Sequence, residues 1–321
     1  MNIGGTIPPF ICDLNNLTVL DFYYNTIIGM FPVVLFNCSE LQYLDLSQNF
    51  FVGFIPDDID RFTRLSSLYL SGNNFTGNIP AAIGRLQQLK VLDFAGISLT
   101  VFSLRNLVGI QSLKHLRFHP TGSWESAWIF MQRRKFSRLV AFDNNLNGEL
   151  PESLGNCSSL LIVSVSRNAF TGNIPVGLWT AFNLTYLMLS DNLFMGELPN
   201  EVSGNLSRLE ISNNKFSGKI PTGASWRNLV VFNASNNLFS GTIPQELTAL
   251  SRLTSLLLDG NQLSGSLPSD IVSWKSLTTL NMSRNQLSGQ IPEEFGSLPN
   301  LLELDLSENL FTGEIPPRLT L

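Results

Sequence analysis

The residues whose types and spacing could do chemistry in this 321-residue chain are few: two histidines, three cysteines and a set of Asn-x-Ser/Thr triplets. His115 and His119 stand four apart, a spacing that on a helix would set two imidazoles over one metal ion. Here the local pattern predicts a strand running into Pro120, with no acid or cysteine close by, so no metal site is expected. Cys38 and Cys157 both lie in Asn-Cys-Ser, at a phase where other segments carry Leu86, Leu250 or Leu298. They are expected to be buried thiols acting as small apolar residues. Cys12 is two positions out of that phase and is expected to be free, because three cysteines make no disulfide framework. No Gly-rich phosphate loop, nucleophile elbow or kinase catalytic motif occurs, and the acids are spread out rather than paired. The chain is expected to be no enzyme and to need no cofactor.

The elements that must position everything else come from one recurring pattern, L-x-x-L-x-L-x-x-N-x-L-x-G-x-L/I-P, seen clearly from Leu253 to Pro268. Its copies are anchored on Asn25, Asn49, Asn73, Asn144, Asn168, Asn192, Asn214, Asn237, Asn261, Asn285 and Asn309. Successive anchors are 24, 24, 71, 24, 24, 22, 23, 24, 24 and 24 residues apart. A period in the twenties with this spacing is the leucine-rich repeat signature. The expected fold is an α/β solenoid, a right-handed superhelix with a parallel sheet on its concave face and 3₁₀, short helical or extended turns on the convex side. Counting the anchor as zero, leucines at −8, −5, −3 and +2 point inward, and −6 to −1 forms a short strand. The anchor amide is expected to bond backbone of its own and the next coil, where each unsatisfied group would cost about 1–3 kcal/mol. The Gly-x-Ile-Pro segment runs extended, its proline blocking helix.

Three segments of one solenoid domain follow: residues 1–95 regular, 96–135 irregular, 136–321 regular. The gap of 71 holds two coils whose strand residues survive (Leu89, Leu92, Phe94; Leu113, Leu116, Phe118) but whose anchors are replaced by Ile97 and Thr121. The solenoid is expected to be weakest there. The stretch from Trp124 to Lys135 reads either as an amphipathic convex helix or functional island, or as a degenerate or mis-joined segment; the second is the expectation. Both ends fall in mid-repeat without a polar cap, which suggests a piece of a longer protein.

With no catalytic group, function is expected on the concave sheet, whose residues at −4, −2 and −1 stand out in columns. Candidate ligand contacts are Asp45, Tyr69, Asp93, Phe142, Ser164, Arg167, Met188, Asp191, Glu210 and Asn213. The plainer reading of any one of them is a solvated sheet residue. Trp179, Trp226 and Trp274 fall at buried phases and are expected to fill core. Eight glycosylation triplets begin at Asn16, Asn37, Asn74, Asn156, Asn183, Asn205, Asn233 and Asn281. Asn16, Asn183 and Asn205 share −9 and Asn37 and Asn156 share −12, off the concave sheet, whereas a glycan at Asn233 or Asn281 (−4) would block it. An extracellular location is expected, although the start lacks the n- and h-regions of a secretory signal. A net charge of −5 argues against nucleic acid as partner, and no apolar run is long enough to span a bilayer.

The Asn-x-Leu-x-Gly-x-Ile-Pro form of the repeat resembles the plant-specific leucine-rich class. Asn156-Cys-Ser-Ser-Leu160, Gly177-Leu-Trp-Thr180, Leu206 to Asn213, Leu256 to Gly265 and Ser273-Trp-Lys-Ser-Leu277 resemble ectodomains of HAESA-like receptor kinases. The resemblance is close over 136–321, generic over 1–95 and absent over 96–135. It implies a cell-surface receptor that binds a small secreted peptide on the concave face and recruits a shorter leucine-rich-repeat co-receptor kinase. Paired-cysteine caps, a membrane helix and a kinase domain are not in this sequence. Some members read a peptide carboxylate with arginines at −6 and −4 of one strand; His115 and Arg117 are the nearest match. The alternatives are a secreted inhibitor of cell-wall-degrading glycosidases of polygalacturonase-inhibitor type, or a truncated gene product.

Overall fold

In a computed structural model of the chain, the described residues are 3–100, 114–121, 137–142, 147–150, 152–157 and 159–317. They divide into two compact units, Met1–Gly148 and Glu149–Leu321. In the first, the strands Val19–Asp21, Tyr43–Asp45, Ser67–Tyr69, Val91–Thr100, His115–Thr121 and Arg138–Val140 pair in parallel. Val19, Tyr43, Ser67, Val91, His115 and Arg138 are successive register partners. In the second, seven parallel strands run from Ile162–Ser164 to Glu303–Asp305. Pairing at a constant offset leaves each −5 leucine above the next, which makes one apolar column per unit. Leu41, Leu44, Leu46 and Phe51 show how complete it is: none exceeds 1% exposure.

Strands of mostly three residues are shorter than the sequence predicts, for a reason visible at −1. Tyr24, Gln48, Arg167, Asp191, Asn213, Asn236, Arg284 and Glu308 all have φ between 52° and 57°, in the left-handed region. That turn swings the chain inward while the coil-to-coil ladder continues, as in Tyr24 N–H to Ser47 O at 3.1 Å. A non-glycine residue held there is strained unless its surroundings over-determine it. The anchor amide next to it supplies that constraint. Asn49 donates to its own Leu46 and Ser47 carbonyls and to Phe22 O, and accepts from Ile27 N–H at 3.0 Å. The expected partner was the next coil; the structure places it in the preceding coil, because the amide lies under the turn it closes. Where Ile97 replaces the anchor, Gly96 at −1 still has φ 67°, and Val91–Thr100 is one ten-residue strand whose pairing with His115–Thr121 shifts register between Phe94 and Leu99. Asn144 and the Trp124–Lys135 stretch lie outside the described residues.

The Gly-x-apolar-Pro segments are extended as expected, and they also pair. Thr26–Gly29, Phe50–Phe54 and Asn74–Asn78 form a second parallel ladder in the first unit, which joins the first sheet at Val91–Thr100, and seven such strands from Ala169–Asn173 to Leu310–Phe311 form a separate sheet in the second. Among the described residues the convex returns are mainly 3₁₀ turns such as Glu293–Ser297, with an α-turn at Val176–Trp179. Trp179, Trp226 and Trp274 are buried, and the indoles of the last two donate to Pro199 O and Leu247 O.

The expectation for two of the three cysteines is also overturned. Cys12 is not free, and Cys38 is not a buried thiol: they form a disulfide, with Cα atoms 4.8 Å apart. Phase matching misses it because the 3₁₀ turns Ile11–Asp13 and Val33–Asn37 stack, and a tight turn brings residues two positions out of phase within reach. Cys157 is the buried thiol expected, its pKa raised by burial. Replacing Cys12 and Cys38 by serine together should cost about 3 kcal/mol, from the entropy of the 26-residue loop that the bond closes. Urea unfolding with and without reductant measures it: reductant should lower the native midpoint and leave that of the double variant unchanged.

Candidate functional site

The solvent face of the three-residue strands carries columns at −6 and −4, about 4.8 Å apart from coil to coil. The −6 column was not among the candidates, although alternation along a strand from −5 inward requires it. In the first unit the −4 column reads Asp21, Asp45, Tyr69, Asp93, Arg117 and Val140. The Tyr43 and Tyr69 rings lie 5.4 Å apart, and the Tyr43 hydroxyl donates to Asp45. Burial, then the Asp45 and Asp21 carboxylates, push the Tyr43 phenol up to about 12, and burial raises Tyr69 as well.

Asp45 and Asp93 lie within this face but are largely consumed by the fold. Their exposure is 7% and 6%, and each accepts the N–H two residues on, from Ser47 at 2.8 Å and Ala95 at 2.9 Å. The same bond recurs from −4 to −2 at Asp21, Asn233, Asn281 and Asp305. The recurrent Asp/Asn at −4 therefore ends the strand in an Asx-turn. Burial raises the Asp93 pKa, offset by the Ala95 N–H and by Arg117, whose guanidinium lies 3.6 Å away. A carboxyl raised in the folded state costs stability above that pKa, and the cost fades as pH falls through it. Asp93→Asn keeps the turn and removes the cost, so stability at pH 7 should rise or stay within about 1 kcal/mol. Unfolding free energy plotted from pH 7 to pH 4 should be flatter than in the native chain.

Beside it a cavity of about 590 Å³ is lined by Tyr69, Val91, Asp93, His115, Arg117, Arg138, Val140 and Phe142. Arg117 spans it, its guanidinium 5.1 Å from the centre of the Phe142 ring. Burial, then Arg138 and Lys114, lower the His115 pKa, which favours the neutral imidazole. The cavity thus offers two guanidiniums, a hydrogen-bonding ring and apolar walls.

In the second unit Ser164, Met188 and Glu210 are register partners at −4, with Ser164 buried and Glu210 paired to Arg208. Arg167, Asp191 and Asn213 are exposed at −1. Asn213 donates to Asp191 at 2.6 Å and Asn236 to Asn213 at 2.8 Å, while Arg284 reaches Asp259 at 2.7 Å. Of the glycosylation triplets, Asn16, Asn37, Asn74, Asn156 and Asn205 are exposed and Asn183, Asn233 and Asn281 half-buried.

The two sheets, 3₁₀ returns and asparagine ladder define a leucine-rich-repeat solenoid, a non-catalytic fold. The chain belongs to the Leucine Rich Repeat family, whose profile matches residues 40–62, 64–86, 183–204, 205–225, 228–250, 252–274, 276–298 and 300–320. Its structure is similar to the plant peptide hormone receptor RGFR1 in complex with RGF2 (TM-score 0.88, 30% identity), over 99% of this chain and 52% of that one. It is also similar to the Arabidopsis receptor kinase HAESA in complex with the peptide hormone IDA and the co-receptor SERK1 (TM-score 0.82, 35% identity), over 99% of this chain and 58% of that one. The chain therefore spans little more than half the length of these receptors. No curated protein matches it. Among the described residues no helix is long and apolar enough to cross a membrane.

Proposed function

We propose that this chain is the ligand-binding segment of a plant cell-surface leucine-rich-repeat receptor-like kinase, and that it recognises a small secreted peptide on the concave face. The observation that carries the reading is the register of that sheet, whose side chains recur at about 4.8 Å while an extended peptide advances about 3.3 Å per residue. Each coil then reads one or two ligand residues. Tyr69, Arg117 and Phe142 contact the ligand in the first unit; Arg167, Met188, Asp191, Glu210 and Asn213 do so in the second, with Asp45, Asp93 and Ser164 shaping the floor. A peptide's terminal carboxylate is received by Arg117 with His115 beside it. The parent protein carries the kinase domain and pairs with a shorter co-receptor kinase, as the HAESA complex does with SERK1. The Cys12–Cys38 disulfide and the five exposed glycosylation triplets support an extracellular setting.

The test is selection of displayed random peptides of about twelve residues, long enough to cross several coils, on the purified chain. Selected peptides should lose at least about tenfold in affinity on Tyr69→Ala, Arg117→Ala or Glu210→Lys, roughly 1.4 kcal/mol. They should bind the convex-side variant Arg85→Ala as before. Peptides that ignore all three sheet variants would overturn the proposal.

A further inference from the structure

The second ladder of the first unit has an apolar block on its solvent face. Ile28 and Met30 from one coil and Phe50, Val52 and Phe54 from the next are 53%, 75%, 55%, 44% and 71% exposed. Ile28 and Phe50 are register partners, so the five side chains adjoin. Neither Thr26–Met30 nor Phe50–Phe54 contains a charged residue. The block is also flat. A methyl group added at Gly53 would meet Met30 Cγ at 3.5 Å, and one at Gly77 would meet Phe54 Cδ1 at 2.5 Å. Met30 and Phe54 therefore lie down across the glycine of the following coil.

The fold does not require this. In the second unit the same positions read Lys215, Ser217 and Lys219, then Gln262, Ser264 and Ser266, then Gln286, Ser288 and Gln290. Those three coils pair into the second unit's own second sheet all the same. Exposed apolar residues recur at these positions as Leu193 and Met195 in one coil and as Leu238 and Leu310 in two others, each beside a polar coil; among the described residues only Ile28–Phe54 joins two adjoining apolar coils.

We propose that this block is a self-association surface, joining two copies of the chain about a twofold axis. Aromatic side chains offer about 150–250 Å² each, so the five expose roughly 500 Å² together, the upper range for a soluble monomer. Two copies face to face would remove roughly 1,000 Å² from water, which is what a specific interface needs. A flat, uncharged face has nothing to set its polarity against a different partner, and it is complementary to its own copy under twofold symmetry.

Sedimentation velocity of the purified chain over about 1–100 µM reads the association directly. The native chain should show a concentration-dependent dimer, and the double variant Met30→Gln/Phe54→Gln should weaken it at least tenfold with an unchanged circular dichroism spectrum. Val52→Cys, near the axis, should cross-link copy to copy under mild oxidation, and this decides the matter if the double variant misfolds. Asn74, a glycosylation triplet, is the register partner of Val52, so Asn74→Gln is run in parallel. A native chain monomeric throughout, a dimer untouched by the double variant, or association only after Asn74→Gln would each overturn the proposal. Peptide binding is read separately, so either proposal can fail without the other.

Discussion

Asn261→Ala should destabilise the second unit by about 3–5 kcal/mol, measured by chemical unfolding. The side chain donates to Ala234 O at 3.0 Å, Leu258 O at 3.0 Å and Asp259 O at 3.2 Å, and accepts from Phe239 N–H at 3.1 Å. It is buried, so water cannot replace it. At least two backbone groups lose their partner, each at about 1–3 kcal/mol. Asn261→Asp is the more telling variant. It keeps the acceptor and the shape, but turns an oxygen towards three carbonyls, so it should be at least as damaging as alanine. If cavity formation alone were responsible, aspartate would be the milder change. Asn25→Ala, at a half-buried anchor that donates to Phe22 O and Tyr23 O and accepts from the exposed Ile3 N–H at 2.8 Å, should cost about 1 kcal/mol, since water can reach these groups.

The second large effect is expected at Phe194, which stacks on Phe170 at 5.9 Å and on Phe216 at 6.5 Å. All three rings are buried, one per coil at +2. Phe194→Ala should cost about 3–5 kcal/mol, from lost transfer energy and from a cavity that stacked neighbours cannot collapse into. Phe194→Leu should cost less than half of that, since most of the volume is kept. In a repeat fold each coil depends on its neighbours, so the loss should also appear as a broadened unfolding transition. A sharp, two-state transition in Phe194→Ala would mean that the coils melt as one block.

Most of this architecture is legible in the sequence because its cause is local. Leu41, Leu44, Leu46 and Phe51 are buried as their phase requires, and Asn49 sits where the turn needs an amide. Site reading fared differently. Of the candidate contacts, Tyr69, Asp93 and Phe142 line one cavity, with Arg117, which was not among them, and Asp45 and Asp93 are held by N–H groups two residues on. The signal was present: Asp or Asn recurs at −4 in coils with no other reason to share a ligand. A residue type that repeats with the period of the fold answers first to the fold.

The spacing of leucines and asparagines by itself determined the coil, its inward face and the parallel stacking, since each coil can bury its apolar face only against the next. Tertiary structure alone decided the Cys12–Cys38 bond, the second sheet and the backward reach of the anchor amides. It also decided that Met30 and Phe54 lie flat in the open. Each of these joins residues roughly one coil apart, where the turn geometry, two positions either way, sets what meets what.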